Sequence, residues 1–184
     1  MTPAERFDQA IEIILADRRG LIGFLGAFSE GQARWKPPDG EWSILEGLEH
    51  VMREEWSFRA NFLAGLREAE ATGVWDNAPD PVVKYGWEAM RRREQGPSMA
   101  PAHLHPAGEG TWEGMKAALW PDRMATREVL LPYRARDLGR LIIFMSKRLG
   151  HLNGYDRIVY CGIHDYLHQD QMARVAGQPG FPRK

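Results

Sequence analysis

The first turn of the chain leaves few folds open to it. Thr2 followed three residues later by Glu5 is a capping-box pattern, with Pro3 at the favourable first helical position. Behind it Phe7, Ala10, Ile11, Ile14, Leu15, Arg18, Leu21, Ile22 and Leu25 recur at three- and four-residue spacing, which predicts a helix over roughly residues 3–28. Apolar side chains take up most of its circumference, so it must pack against several neighbours rather than lie on a surface.

The rest of the chain supplies them. Pro37-Pro38-Asp39-Gly40 stops the pattern, because two prolines cannot continue a helix and glycine tolerates a turn. Ser43 and Glu46 form a second capping box, and Ile44, Leu48, Val51, Met52, Phe62 and Leu66 carry the expected helix to about residue 72. Two long helices joined by a short turn are expected to be antiparallel neighbours. Thr111-Trp112-Glu113 opens a third pattern through Met115, Leu119, Val129 and Leu131, in which Pro121 is expected to kink or split the helix. A final helix, about residues 153–176, stops before Gly177-Gln178-Pro179-Gly180.

Two stretches resist this reading. Residues 74–110 carry Pro79, Pro81, Pro97, Pro101 and Pro106 with no sustained period; a short helix near residues 87–93 is the only element expected there. Connections of that length in a compact domain are usually functional or mobile. Residues 133–152 are ambiguous, since Leu141-Ile142-Ile143-Phe144-Met145 suits a helix or a strand. The chain thus reads as a single all-α domain over residues 1–184, with four principal helices and a long Pro/Gly-rich connection between the second and third.

Composition narrows the function. With 24 Lys+Arg against 25 Asp+Glu, the chain lacks the basic excess of a nucleic-acid binder. Arg91-Arg92-Arg93, followed by Glu94, reads as a solvated face. The lone cysteine, Cys161, excludes an intramolecular disulfide and fits a reducing compartment. No apolar stretch follows the first six residues as in a signal peptide, and the apolar run 141–145 is far short of the roughly 20 residues of a membrane span. A cytoplasmic protein with neither membrane nor nucleic-acid partners is expected.

Six histidines remain: His50, His103, His105, His151, His164 and His168. His164 and His168, four apart on the final helix, point to one side within reach of one ion. At roughly 100° per residue, Tyr160, Cys161, Leu167, Gln171, Met172 and Val175 share their face, while Val159, Gly162, Tyr166 and Ala173 fall on the other. Two imidazoles do not make a catalytic site, which usually has three protein ligands and an open position. His50 is the natural third donor, although its own helix places it opposite Leu48, Met52 and Leu66, with Glu46, Arg53, Ser57 and Asn61, on the face expected for solvent. His103 and His105, between Pro101 and Pro106, are alternative donors, as is Cys161 one turn before His164. A buried packing role suits Cys161 better.

Trp42-Ser43-Ile44-Leu45-Glu46-Gly47-Leu48-Glu49-His50 resembles the start of the second helix in the DinB/YfiT-like superfamily, where a Trp-Ser-x-x-Glu stretch leads into a histidine. Gly150-His151-Leu152-Asn153-Gly154-Tyr155, followed by His164-x-x-x-His168-x-x-Gln171, resembles that family's last helix. The resemblance covers essentially the whole chain. It implies a four-helix bundle with a crossover connection and a three-histidine site for a divalent metal, zinc or nickel, with His50, His164 and His168 as ligands. Dimerisation is a further implication. The long 74–110 segment and the residues around 133–149 depart from the family pattern, so the resemblance does not define the substrate side of the pocket.

Such a site can activate water or bind a thiol as thiolate. Members of the resembled superfamily include transferases and isomerases that use low-molecular-weight thiols, alongside proteins described as metal-dependent hydrolases. The resemblance therefore implies thiol-dependent transfer to a small electrophilic molecule, or metal-activated hydrolysis. Glu46 and Gln171, each a turn from a ligand, could orient an imidazole. Tyr160, Trp35 and Trp87 could line an apolar pocket. The competing expectation is a non-catalytic binding or scaffold bundle, whose metal is absent or held by a fourth donor such as Cys161 or His105.

Overall fold

The computed structural model describes residues 1–75, 100–146 and 150–183, with the backbone alone at 143–146. The short helix expected near 87–93, the arginine run 91–93 and Trp87 lie outside the described residues. Five α-helices are present among those described: α1 (Pro3–Leu25), α2 (Glu30–Arg34), α3 (Ile44–Thr72), α4 (Trp112–Leu130) and α5 (Gly154–Ala176). The starts of α1 and α3 are built as their sequences predict. Thr2 Oγ1 accepts the N–H of Glu5, Ser43 Oγ accepts that of Glu46, and each glutamate reaches back to the cap backbone. Ser29 and Gln32 make a third such box, which starts the short α2 ahead of the Pro37-Pro38-Asp39-Gly40 turn.

Pro121 does not split α4, which is continuous across it. Pro121 and Ala117, whose carbonyl loses its intrahelical partner, both lie on the exposed face, where that acceptor is open to solvent. Residues 142–153 resolve as a hairpin, β1 (Ile142–Ser146) antiparallel to β2 (Gly150–Asn153), with Ser146 opposite Gly150 and a register shift between Ile142 and Phe144. Asn153 ends β2 and caps α5, its Oδ1 accepting the N–H of Asp156 at 2.9 Å.

The helices run in parallel pairs. The Tyr155 hydroxyl donates to the carbonyl of Pro3 at 3.2 Å, which brings the starts of α1 and α5 together. The ends of those two helices meet the starts of α3 and α4 in one apolar cluster, through Leu21, Leu25, Leu48, Trp112, Met172 and Val175. The backbones of α1 and α5 approach closely at Gly162, where a Cβ would stand 3.1 Å from Cα of Ile14. Helices α1 and α3 are not the side-by-side neighbours their sequence separation suggested. Each packs against α4 and α5, and they face one another across the bundle. The stretch between them, which includes α2, is long enough to cross it.

Because α3 and α4 point the same way, the end of α3 and the start of α4 lie at opposite ends of the bundle. The 19 residues of α4 span about 28 Å at 1.5 Å per residue, a distance no tight turn covers. That requirement accounts for the long connection. No helix among the described residues is long and apolar enough to cross a membrane.

The core is divided. One cluster holds Phe7, Ile14, Phe58, Phe62, Trp75, Leu130 and Ile158 at the hairpin end; the other holds Leu25, Ile44, Leu48, Trp112, Leu119 and Met172 at the opposite end. Between them lies a polar layer with one charged residue from each long helix: Arg18, Glu55, Arg123 and Asp165, all 0–1% exposed. Arg18 Nε and Nη2 grip the two oxygens of Asp165 at 2.7 and 3.0 Å, and Nη2 also bonds Glu55. Arg123 donates from Nε to Glu55 at 2.8 Å and from Nη2 to Asp165 at 3.0 Å. Spare guanidinium donors reach the carbonyls of Leu119 and Ile14, and Thr126 Oγ1 donates to Glu55. Burial pushes the Glu55 carboxyl up, but Arg123 and Arg18 outweigh it and hold the group below its ordinary 4.5.

Candidate metal centre

Helix α3 brings His50 two turns from its cap, and α5 brings His164 and His168 one turn apart, on either side of its midpoint. These two helices run antiparallel, so the start of α3 meets the end of α5 and residues 114 apart in sequence touch. Nε2 of His164 lies 3.2 Å from Nε2 of His50 and 3.2 Å from Nε2 of His168. All three donor atoms lie within 4.8 Å of one another, so the group could hold a metal ion.

The outward-facing nitrogens fix the protons. Nδ1 of His50 is 2.8 Å from the carbonyl of Leu104, and Nδ1 of His168 is 2.8 Å from Oε1 of Gln171. Both partners are acceptors, so each Nδ1 carries the hydrogen and each Nε2 presents a bare lone pair to its neighbour. His164 has a single proton to offer and two lone pairs facing it. One cation would satisfy all three nitrogens together. Metal–nitrogen bonds of 2.0–2.1 Å place ligand nitrogens about 3.4 Å apart in a tetrahedron and about 2.9 Å apart on an octahedral face; the observed 3.2 Å falls between.

Burial keeps the rings neutral. It holds His50 below the usual imidazole range despite the Leu104 carbonyl. It holds His164 well below that range, with the two neighbouring imidazoles adding to the effect. His168 is pushed down to about 3 by burial and by His50. Neutral imidazoles are the form that ligates, so a metal displaces no proton from them near pH 7.

His50 is only 2% exposed, which overturns the solvent face expected from its own helical wheel. The wheel cannot see what covers it. Leu104 arrives from the end of the long connection, and the Trp42 indole lies 4.9 Å, centroid to centroid, from the His50 ring and 6.5 Å from that of His168. The first half of α5 is likewise buried on every side, Val159 and Gly162 included.

The other candidates sort themselves. Gln171 touches His168 directly. Glu46 does not reach His50: as the capping-box residue its carboxylate turns back to the N–H of Ser43 at 2.7 Å and pairs with Lys36 at 2.5 Å. The Leu104 carbonyl stands in the orienting position instead. Cys161 is buried, and burial pushes its thiol up to about 12; it is not part of the cluster. Nε2 of His105 lies 3.0 Å from the carbonyl of Ala100, and neither it nor His103 joins the group. Trp35 packs edge-on against Phe181, and Tyr160 stacks beneath the Arg157 guanidinium. Sequence reasoning missed Leu104, which acts through its backbone, and Glu49, whose carboxylate binds the connection beyond Leu104. It quoted Trp42 without giving it a place.

A family model described as the DinB superfamily matches residues 14–172, a span that includes all three clustered histidines. No curated protein and no solved structure matches the chain.

Proposed function

The chain belongs to the DinB superfamily, and on that premise we propose that it is a metal-dependent enzyme whose divalent ion, zinc or nickel, is held by His50, His164 and His168. The observation that carries this reading is the convergence of three Nε2 atoms, two of them stripped of hydrogen by acceptors at Nδ1. Neutral nitrogen donors suit both metals. Bound there, the ion would serve as a Lewis acid that lowers the pKa of a coordinated water or thiol.

Of the chemistries open to such a site, thiol-dependent transfer to a small electrophilic molecule is the leading one, and hydrolysis of a small substrate the close competitor. Three donors rather than four, among the described residues, favour an open site over a closed structural one. In this reading the Leu104 carbonyl and Gln171 hold two of the imidazoles in their ligating tautomers. The Trp42 ring closes one side of the cluster to water.

The test is metal content by elemental analysis of untagged protein purified without chelator, beside a His164→Ala/His168→Ala variant. About one equivalent of zinc or nickel, lost in the variant, is expected; thiol and hydrolase substrates are then screened on the loaded protein. Absence of metal from the wild type after reconstitution with either ion sinks the proposal.

A further inference from the structure

Glu49 is the chain neighbour of His50, yet its carboxylate serves a different element. Oε1 accepts the backbone N–H of Ala107 at 2.7 Å, and Oε2 accepts that of Gly108 at 2.8 Å. Nε of Arg53, one turn along α3, donates to Oε1 at 3.0 Å. The residue is 5% exposed, and these donors meet lone pairs that burial would otherwise leave without partners. The bonds tie the end of the long connection to the first turns of α3.

Leu104 stands three residues before the tie. Pro106 fixes one of the dihedrals between them. On its other side Leu104 closes a 3-10 turn (Ala102–Leu104), with its N–H bonded to the carbonyl of Pro101 at 2.9 Å and its side chain buried. The Leu104 carbonyl is therefore held between two anchors, and it is the group that accepts the Nδ1 hydrogen of His50. A neutral imidazole can carry its proton on either nitrogen, and only the Nδ1–H form leaves Nε2 free.

We propose that Glu49 is a positioning residue for the histidine cluster: by clamping Ala107 and Gly108 it keeps the Leu104 carbonyl on His50 and so keeps the Nε2 lone pair of His50 aimed at His164. This rests on the reading of the three histidines as metal ligands. Glu49 touches no ligand atom itself; it acts through the loop. Glu49→Gln separates this role from bulk and reach. Each carboxylate oxygen receives its own backbone N–H, so an amide of the same shape must turn its NH2 against one of them.

The test reads the tautomers of His50 and His168 in metal-free protein by long-range proton–nitrogen correlation spectra, together with zinc affinity by chelator competition. Wild type is expected to show the Nδ1–H form at both rings. In Glu49→Gln, His50 should shift toward the Nε2–H form while His168, held by Gln171, stays put, and zinc affinity should fall tenfold or more. General loosening of the fold would move both rings, which makes His168 the internal control. A wild-type-like His50 tautomer with unchanged zinc affinity in the variant overturns the proposal. So does an Nε2–H tautomer at His50 in wild type, a result that stands even if the variant does not fold. Failure of wild type to bind zinc or nickel overturns the metal reading instead, and the spectra of the metal-free protein still decide the clamp.

Discussion

The same helices carry two buried polar clusters that differ in one respect, and the difference separates what holds this protein up from what it offers a ligand. In the layer between the two apolar clusters, Arg18 and Arg123 meet Glu55 and Asp165 with charge balanced and donors matched to acceptors. On the α3–α5 side His50, His164 and His168 aim lone pairs at one another, with their matched partners on the outside only. The first cluster is complete without a guest. The second would be completed by a cation. A polar group inside a bundle is therefore not functional for being polar; its unfilled valence is the mark.

Perturbing each cluster should expose the contrast. The largest effect is expected from Glu55→Ala, which leaves two buried guanidinium groups to share the single carboxylate of Asp165: about 3–5 kcal/mol of stability lost, read from urea unfolding at neutral pH. A loss below about 1 kcal/mol, the scale of a surface pair, would mean that the layer is not what clamps the helices. Next comes the guest. Zinc at a hundredfold excess over its dissociation constant should stabilise the wild type by about 2.7 kcal/mol and leave His164→Ala unmoved, as read by thermal unfolding with and without the ion. Equal shifts in both proteins would place the ion elsewhere. Smaller again is Gln171→Ala, which frees the outer nitrogen of His168. Zinc affinity should drop about tenfold, within the usual range for a partner of a ligating imidazole, with unfolding of the metal-free protein nearly unchanged.

The mildest probe is the proton. The carboxyl of Glu55 titrates below its ordinary 4.5 in the folded protein, because Arg123 and Arg18 favour its charged form. Its contribution to stability is therefore full above the unfolded value and is lost as the pH falls through the folded one. Unfolding midpoints should begin to fall near pH 6.5, as the unfolded chain protonates the three histidines that the fold keeps neutral, and Glu55 should add a further decline below about 4.5. Glu55→Gln should flatten that decline. An unaltered acid limb in this variant would assign the decline to other carboxylates.

Much of the scaffold is legible in the sequence because it is local. Thr2 with Glu5 and Ser43 with Glu46 announce helix starts within a single turn, and the apolar stripes behind them carry the helices to within a few residues of their observed ends. The hairpin was not legible, since a continuous run such as Leu141-Ile142-Ile143 has the period of neither a strand nor a helix. Nor was the relative placement of α1 and α3, which depends on partners that follow later in the chain. In the site, the spacing of His164 and His168 was visible and the burial of His50 was not, because its cover comes from Leu104, 54 residues away. The charged layer left a single trace, Arg18 seated in an apolar repeat, and its partners lie on three other helices.

His50 and His164 are in contact across 114 residues of chain. An ion shared between them would close a loop spanning most of the protein, and closing a long loop acts on the unfolded chain as a cross-link does, by removing conformations from it. With a single cysteine the protein has no covalent means to that end. An ion held there would instead be a fastening that a chelator undoes, so the availability of metal in its surroundings would set how long the folded chain persists.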